Sequence, residues 1–288
     1  MAFKTPPEIA QAAIESGTTK ASLSPDRLLI AGALAGVYIA FGALFGITVT
    51  SGLNPVIWGS IPQLITGAAF SFGLMLVVIT GAELVTGVIP LISLAVIKRR
   101  ISWGQWGTYM LWTTLGALAG SLFVAYFLGV KSGVLTADAP LKRLTAIGVL
   151  KGQTETDWQI FLRGIGCNWL VCLAVWMALA ADDIIGKVAA IFFPITAFVA
   201  MGFDHLVANM FFLPAAHFAG APISWGDITR NWLFAGAGNF VGAFVFMAGA
   251  YWYLYVRPVP DGVPAPAVEP APVASGNGAA GDRELVGA

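Results

Sequence analysis

Between Arg27 and Glu83 the chain runs for 55 residues without a single aspartate, glutamate, lysine or arginine. Soluble domains are about 25% charged, whereas this 288-residue chain is 10% charged and 58% hydrophobic. Further uncharged stretches cover 101–130, 164–181, 188–203, 205–226 and 231–256. About 20 apolar residues in a helix cross the hydrocarbon core. These stretches therefore predict six spans, at 28–50, 57–97, 104–130, 158–181, 187–216 and 229–256.

The segment before them, residues 1–27, has no continuous apolar core and reads as a cytoplasmic N-terminal segment without a cleavable signal peptide. Within it, residues 7–16 have the pattern of a short amphipathic helix lying against the membrane. From Arg257 onward the chain alternates Pro, Ala, Val and Gly, and residues 257–288 read as a disordered tail. The 15 basic and 15 acidic residues cancel, and no basic stripe points to nucleic acid. Cys167 and Cys172 lie five apart in an apolar helix, a spacing that suits packing better than a metal or a disulfide. Basic residues sit in the N-terminal segment (Lys4, Lys20, Arg27) and after the second span (Lys98, Arg99, Arg100), which argues for both termini in the cytoplasm. The loop between spans three and four, with Lys131, Lys142, Arg143 and Lys151, falls outside and runs against that rule.

Compared with itself at an offset of 122, the chain lays SWGQWGTYMLWTTLGALAG (102–120) over SWGDITRNWLFAGAGNFVG (224–242), with six identities in nineteen positions. Two halves of three spans follow, and an odd number per half inverts the second against the first. The fold expected is an all-α membrane protein of six helices in a 3+3 inverted repeat. The offset also lays Gly42 on Gly164, Gly46 on Asn168 and Glu83 on His205. Gly116, Gly120, Gly238 and Gly242 have the small-xxx-small spacing of closely packed helices.

Span two, with about 40 residues, is too long for one crossing, and the interruption is expected at TGAAFSFGLML, around Gly67 and Gly73. Span five has a corresponding interruption at FVAMGFDH, after Pro194 and around Gly202. Irregular backbone at membrane depth survives where it lines a cavity or is buried in protein. Half-helix N-termini beside the breaks would turn positive dipole ends toward an anion.

One of only two histidines, His205, stands beside Asp204 in this second interruption. A charged group at the bilayer centre costs roughly 2.5 kcal/mol or more, so a buried imidazole there either faces a substrate path or serves as a neutral core residue. The other polar groups of the interior are Glu83, Thr86, Asn168, Asn209 and Asn239. Asn209 lies one helical turn beyond His205. For Asn168 and Asn239 a helix-to-helix hydrogen bond is the competing reading.

GAELVTG, RGIGCNWLVCLAVWMALA and MGFDHLVANMFFLP resemble the three signature stretches of the formate/nitrite transporter family, and GNFVGA resembles the glycine-rich motif of its last helix. The resemblance covers residues 28–256 and implies an aquaporin-like protomer with broken second and fifth helices, one pore each, assembled as a homopentamer in the bacterial inner membrane. It implies that Phe70 and Leu74 form the cytoplasmic-side constriction and its adjoining loop, and Val171 and Phe198 the periplasmic-side constriction. His205 takes the central place, with Thr86, Asn168 and Asn209 as polar partners. Asp204 stands where many members have Glu, Leu206 where many have Ser, and Val85 where Phe is common, while Lys151 falls about one position from the family's periplasmic lysine.

The function implied is a channel or proton-coupled carrier for a small monovalent weak-acid anion, formate first, then nitrite, then hydrosulfide. Desolvating a bare anion between aromatic rings is costly, and a proton met at His205 removes most of that cost. A neutral-solute pore of the water or glycerol type would need paired Asn-Pro-Ala boxes, and only Asn54-Pro55 is present. An ammonium channel commonly uses a histidine pair, and His217 is expected near the end of span five. The absence of HExxH and CxxC motifs argues against a membrane enzyme and predicts no cofactor.

Overall fold

The computed structural model describes residues 3–258, which are helical apart from loops and one isolated β-bridge between Phe3 and Ala181. In chain order the helices are α1 (Pro6–Lys20), α2 (Pro25–Thr50), the single turn α3 (Pro55–Trp58), α4 (Ile61–Thr80) and α5 (Val85–Ile97). Then come α6 (Trp103–Lys131), α7 (Asp138–Val149), α8 (Asp157–Ala180), α9 (Ile184–Ala200), α10 (Leu206–Phe218) and α11 (Trp225–Val256). The later turns of α6 and α11 are wound as π-helix. Among the described residues five helices, α2, α4, α6, α8 and α11, are long and apolar enough to cross a membrane. The stretch expected as the fifth span, with an interruption around Gly202, holds two shorter helices, α9 and α10. Most of the tail, from residue 259, lies outside the described residues.

The repeated SWG has a local cause. Ser102 and Ser224 are N-caps whose side chains accept from the backbone N–H three residues on, reciprocated by Gln105 and Asp227. Thr156 and Gln159 close α8 in the same way. These capping boxes satisfy the orphan donors with which a helix begins.

The glycines in each half let helices touch backbone to backbone. α2 packs on α4 and α6, and α8 packs on α9 and α11. A Cβ on Gly116 or Gly120 would lie 2.2 or 2.1 Å from the carbonyl oxygens of Leu29 and Ala33 on α2. Gly238 and Gly242 meet Phe161 and Ile165 on α8 at 2.2 and 2.4 Å. No side chain fits there. Gly120→Val is expected to cost about 1–3 kcal/mol through overpacking, read as a lower melting temperature of the detergent-purified protein, while Gly107→Ala, which meets nothing within 4 Å, leaves it unchanged.

Two expectations from the sequence need correction. α4 runs without interruption through Gly67 and Gly73, because both are used for close approach, to Thr196 on α9 and to Tyr38 on α2. The helix stops instead at Gly81, whose φ of 81° ends it in the left-handed region. α1 does not simply lie on a membrane surface: Ile9, Ala10, Ala13, Ile14 and Gly17 are buried, and Gly17 sits against the backbone of Leu91 in α5. Exposed apolar side chains on the long helices include Ile30, Leu111, Leu115, Leu233 and Val245.

Candidate functional site

Two short segments leave helical geometry inside the bundle, Gly81–Leu84 between α4 and α5, and Met201–His205 between α9 and α10. The N-termini they create meet. Thr86 Oγ1, in the first turn of α5, lies 2.7 Å from Nε2 of His205, the N-cap of α10. His205 Nδ1 accepts the Ala208 backbone N–H at 3.2 Å. A ring nitrogen that accepts carries no proton, so the neutral ring in this arrangement has its hydrogen on Nε2 and donates it to Thr86. Both residues are buried.

His205 stands at a gap between two cavities. The first, of about 230 Å³, is lined by Lys20 of α1, Leu74, Leu84 and Lys187. The second, of about 400 Å³, is lined by Phe70, Arg143, Lys151, Glu155, Arg163, Phe198, His205 and Asn209. The gap between them, bounded by Ile39, Phe70, Leu74, Leu84, Val171, Ile195, Phe198 and His205, holds no space for a water molecule. Phe70 and Phe198 meet edge to face across it at 5.7 Å between ring centroids. The path is apolar and dry there except for one imidazole.

A web of buried amides holds the second irregular segment. Asn239 donates to the carbonyls of Gly164 and Asp204 at 2.9 and 2.8 Å and accepts the Leu206 N–H at 2.8 Å. Asn168 donates to the carbonyls of Thr86 and Asn239 at 3.1 and 2.8 Å, tying both segments to α8 and α11. Asp204 Oδ1 accepts from Lys151 Nζ at 2.6 Å and from Asn209 at 2.8 Å. Asn209 also donates to Asn231, which donates to the Lys151 carbonyl at 3.1 Å. Non-helical backbone at this depth needs such partners.

A sequence profile described as Formate/nitrite transporter matches residues 7–253. The chain belongs to the formate/nitrite transporter family. It is an integral membrane protein of a family of transporters and channels. It is 45% identical over 260 residues to the uncharacterized transporter YrhG of Bacillus subtilis, covering 88% of this chain and 95% of that one. A probable formate transporter of Methanothermobacter thermautotrophicus is 42% identical over 272 residues, covering 88% and 98%. The nitrite transporter NirC of Salmonella typhimurium is 35% identical over 257 residues, covering 88% and 91%. Among solved structures, an FNT family ion channel superposes with a TM-score of 0.79 at 32% identity, covering 85% of this chain and 98% of its own. A pentameric formate channel with formate bound gives 0.71 at 30% identity, covering 81% and 98%.

In this family member the candidate residues fall into groups that their order in the sequence does not show. His205 and Thr86 touch, and Asp204 and Asn209 sit beside them on the side of the larger cavity. Asn168 and Asn239 serve the backbone. Glu83 is turned away from His205: it accepts from Lys20 of α1 at 2.6 Å and from the Tyr109 hydroxyl. The four apolar candidates share one gap but divide otherwise than the resemblance implied. Phe70 joins Phe198 toward the larger cavity, Leu74 joins Leu84 toward the smaller, and Val171 lines the wall. Phe70 and Leu74 are one turn apart on α4, about 6 Å along its axis, so they stack along the path instead of facing each other. His217 Nδ1 donates to the Ile223 carbonyl, 2.8 Å away, and does not line the gap.

Leu84, Ile39, Ile195, Glu155, Arg163 and Asn231 were not singled out in the sequence. The aliphatic three look like any span residue, and Asn231 like a helix-packing amide. Glu155 had a readable signal, because it follows Lys151 by four residues and precedes a span whose first turns carry Arg163.

Proposed function

We propose that this protein is a channel or proton-coupled carrier for a small monovalent weak-acid anion, with formate as its preferred substrate, and that passage is linked to a proton through His205. One observation carries this reading: a single buried imidazole, hydrogen-bonded to Thr86, stands at a gap that holds no water between two cavities. A bare anion entering such a gap loses its hydration with nothing in exchange, whereas the neutral acid does not. Released from Ala208, Nδ1 of His205 takes a proton. The imidazolium then gives its Nε2 proton to the anion, which crosses as neutral acid. The neutral ring is left with its hydrogen on Nδ1, and exchange of that hydrogen to Nε2 restores the starting tautomer, in which Nδ1 accepts from Ala208. The two helix N-termini at the gap favour a negative charge arriving there.

Formate is preferred to nitrite on the strength of the formate-named relatives and of FFLP after ANM, which resembles the formate branch. Nitrite is the second reading, supported by the NirC relatives. The matching contacts of α2 with α4 and α6, and of α8 with α9 and α11, support a 3+3 inverted repeat of six spans, the second made of α4 and α5 and the fifth of α9 and α10. The basic residues support cytoplasmic termini in the inner membrane, which puts the smaller cavity on the cytoplasmic side. The pentameric relative supports a homopentamer.

The test is a vesicle assay offering formate, nitrite and hydrosulfide in parallel at acid and neutral external pH. Formate uptake that is faster than uptake of the other two and rises with external acidity is expected. Uptake of formate that is indifferent to external pH removes the proton link, and water flux without anion flux replaces the reading with a neutral-solute pore.

A further inference from the structure

Two carboxyl groups at the larger cavity are not used as a pair by the path through His205: Glu155 lines the cavity, and Asp204 lies behind the lining residues Lys151 and Asn209, bonded to both. Glu155, at the turn leading into α8, is 2% exposed, and Asp204 is fully buried. Each has one oxygen engaged: Glu155 Oε1 with Arg163, and Asp204 Oδ1 with Lys151 and Asn209. Each has its other oxygen, Glu155 Oε2 and Asp204 Oδ2, buried without a partner. Lys151, whose amine is bonded to Asp204, stands four residues before Glu155 in the turn Leu150–Thr154 that leads into it, and this sets the two carboxyl groups in one cluster with Lys151 and Arg163. Two ionised carboxylates have no hydrogen to place between them, and both oxygens then stay buried and unsatisfied, each at a cost. One added proton resolves both at once.

We infer that Glu155 and Asp204 share a single exchangeable proton, forming a proton-binding site at the larger cavity that is coupled to the entry of the anion. The charge arithmetic gives the coupling its sign. Lys151 and Arg163 carry two positive charges, and two ionised carboxylates cancel them. With the proton in place the cluster has one net positive charge, facing a cavity that also receives Arg143. An anion is drawn in when the proton is bound, and by reciprocity a bound anion strengthens the hold on the proton. The other groups around the pair do not offset this change. Arg230 donates to the backbone carbonyls of Gly152 and Glu155 and is paired with Asp157. Cys167 is a buried thiol beside Asp204, and the neutral His205 faces the same cavity.

Burial raises the carboxyl of Glu155, and Asp204 adds to the rise against the pull of Lys151 and Arg163, leaving it at about 7. The sign follows directly. Above that pH the proton leaves and the cluster becomes neutral; below it the proton is held and the anion is attracted.

The proton site does not depend on the transport reading, whereas its coupling to an anion does, and two measurements keep them apart. Infrared difference spectra of the full-length protein in detergent, titrated from pH 5 to 9, are expected to show the carbonyl stretch of a protonated carboxyl disappearing with a midpoint near 7, and this band is expected to be missing in Glu155→Gln. No such band in the wild-type protein, or the same band in a folded Glu155→Gln, overturns the site. In vesicles, Glu155→Gln holds the cluster in its positive state at every pH. Its apparent formate affinity is expected to lose most of the weakening, of about tenfold between pH 6 and 8, that one proton-linked group gives the wild type. Titration of the band with no anion uptake at all would refute the transport reading and keep the site. Anion affinity in Glu155→Gln with unchanged pH dependence would refute the coupling.

Discussion

Asn239→Leu is expected to destabilise the folded protein by about 3 kcal/mol or more, the largest effect of any single change within the polar web. The substitution keeps the side chain's size and removes its three hydrogen bonds, stranding the carbonyl of Asp204 and the N–H of Leu206, while the Gly164 carbonyl, inside α8, keeps its partner in the helix. A buried group left without a partner costs about 1–3 kcal/mol. In membrane helices such losses average less, about 0.6 kcal/mol, because the alternative state finds other partners. That discount applies poorly here. Asp204 lies in the non-helical segment and Leu206 is the first residue of α10, whose N–H has no acceptor within the helix, so no neighbouring turn takes over their backbone groups. Against a total stability of about 5–15 kcal/mol, the loss is read as a melting temperature well below wild type in detergent. Asn239→Asp keeps the acceptor for Leu206 and forfeits the two donated bonds, so it falls between. A melting temperature unchanged in Asn239→Leu would show that the amide is ornamental.

The second large effect is functional. His205→Phe removes the one polar side chain of the gap and is expected to lower proton-linked formate uptake by about 10²-fold, the low end of what a positioned acid or base contributes. The fold has a stake as well, because Nδ1 caps α10 and loss of an N-cap costs about 1 kcal/mol. His205→Asn separates the two roles. It retains a side chain able to cap, and it cannot carry a proton. Uptake as fast as wild type in a folded His205→Asn would end the proton role while leaving the cap intact.

The bundle and its contents were legible in the sequence to different degrees. Charge spacing alone located the long helices, because a membrane tolerates few charges and their gaps are as long as its core is thick. The SWG repeat marked helix starts through the chemistry of serine caps. The second irregular segment was visible at Gly202, where glycine has a positive φ. The first was misplaced, because Gly67 and Gly73 look the same in sequence whether they break a helix or let one approach its neighbour. Gly81, which does end α4, gave no stronger signal than they did. The Thr86–His205 contact spans 119 positions and was reached through family resemblance, which names the residues without giving their distance. The Glu155–Asp204 pair was beyond reach of spacing, since one residue follows the turn before α8 and the other lies in the non-helical segment before α10, 49 positions later. Lys151 was set apart by a one-residue offset, yet the π-wound turn at Leu150–Thr154 carries its amine to Asp204 all the same.

The waterless gap has a bearing on the cell's energy supply. Protons hop along unbroken files of water, and sodium and potassium travel with their hydration shells. A conduit sealed by Phe70, Leu74, Val171 and Phe198 offers neither a file nor room for a shell. Such a protein can reside in an energised membrane in many copies without short-circuiting its voltage, because a proton crosses only in company with an acid anion and sodium and potassium do not cross.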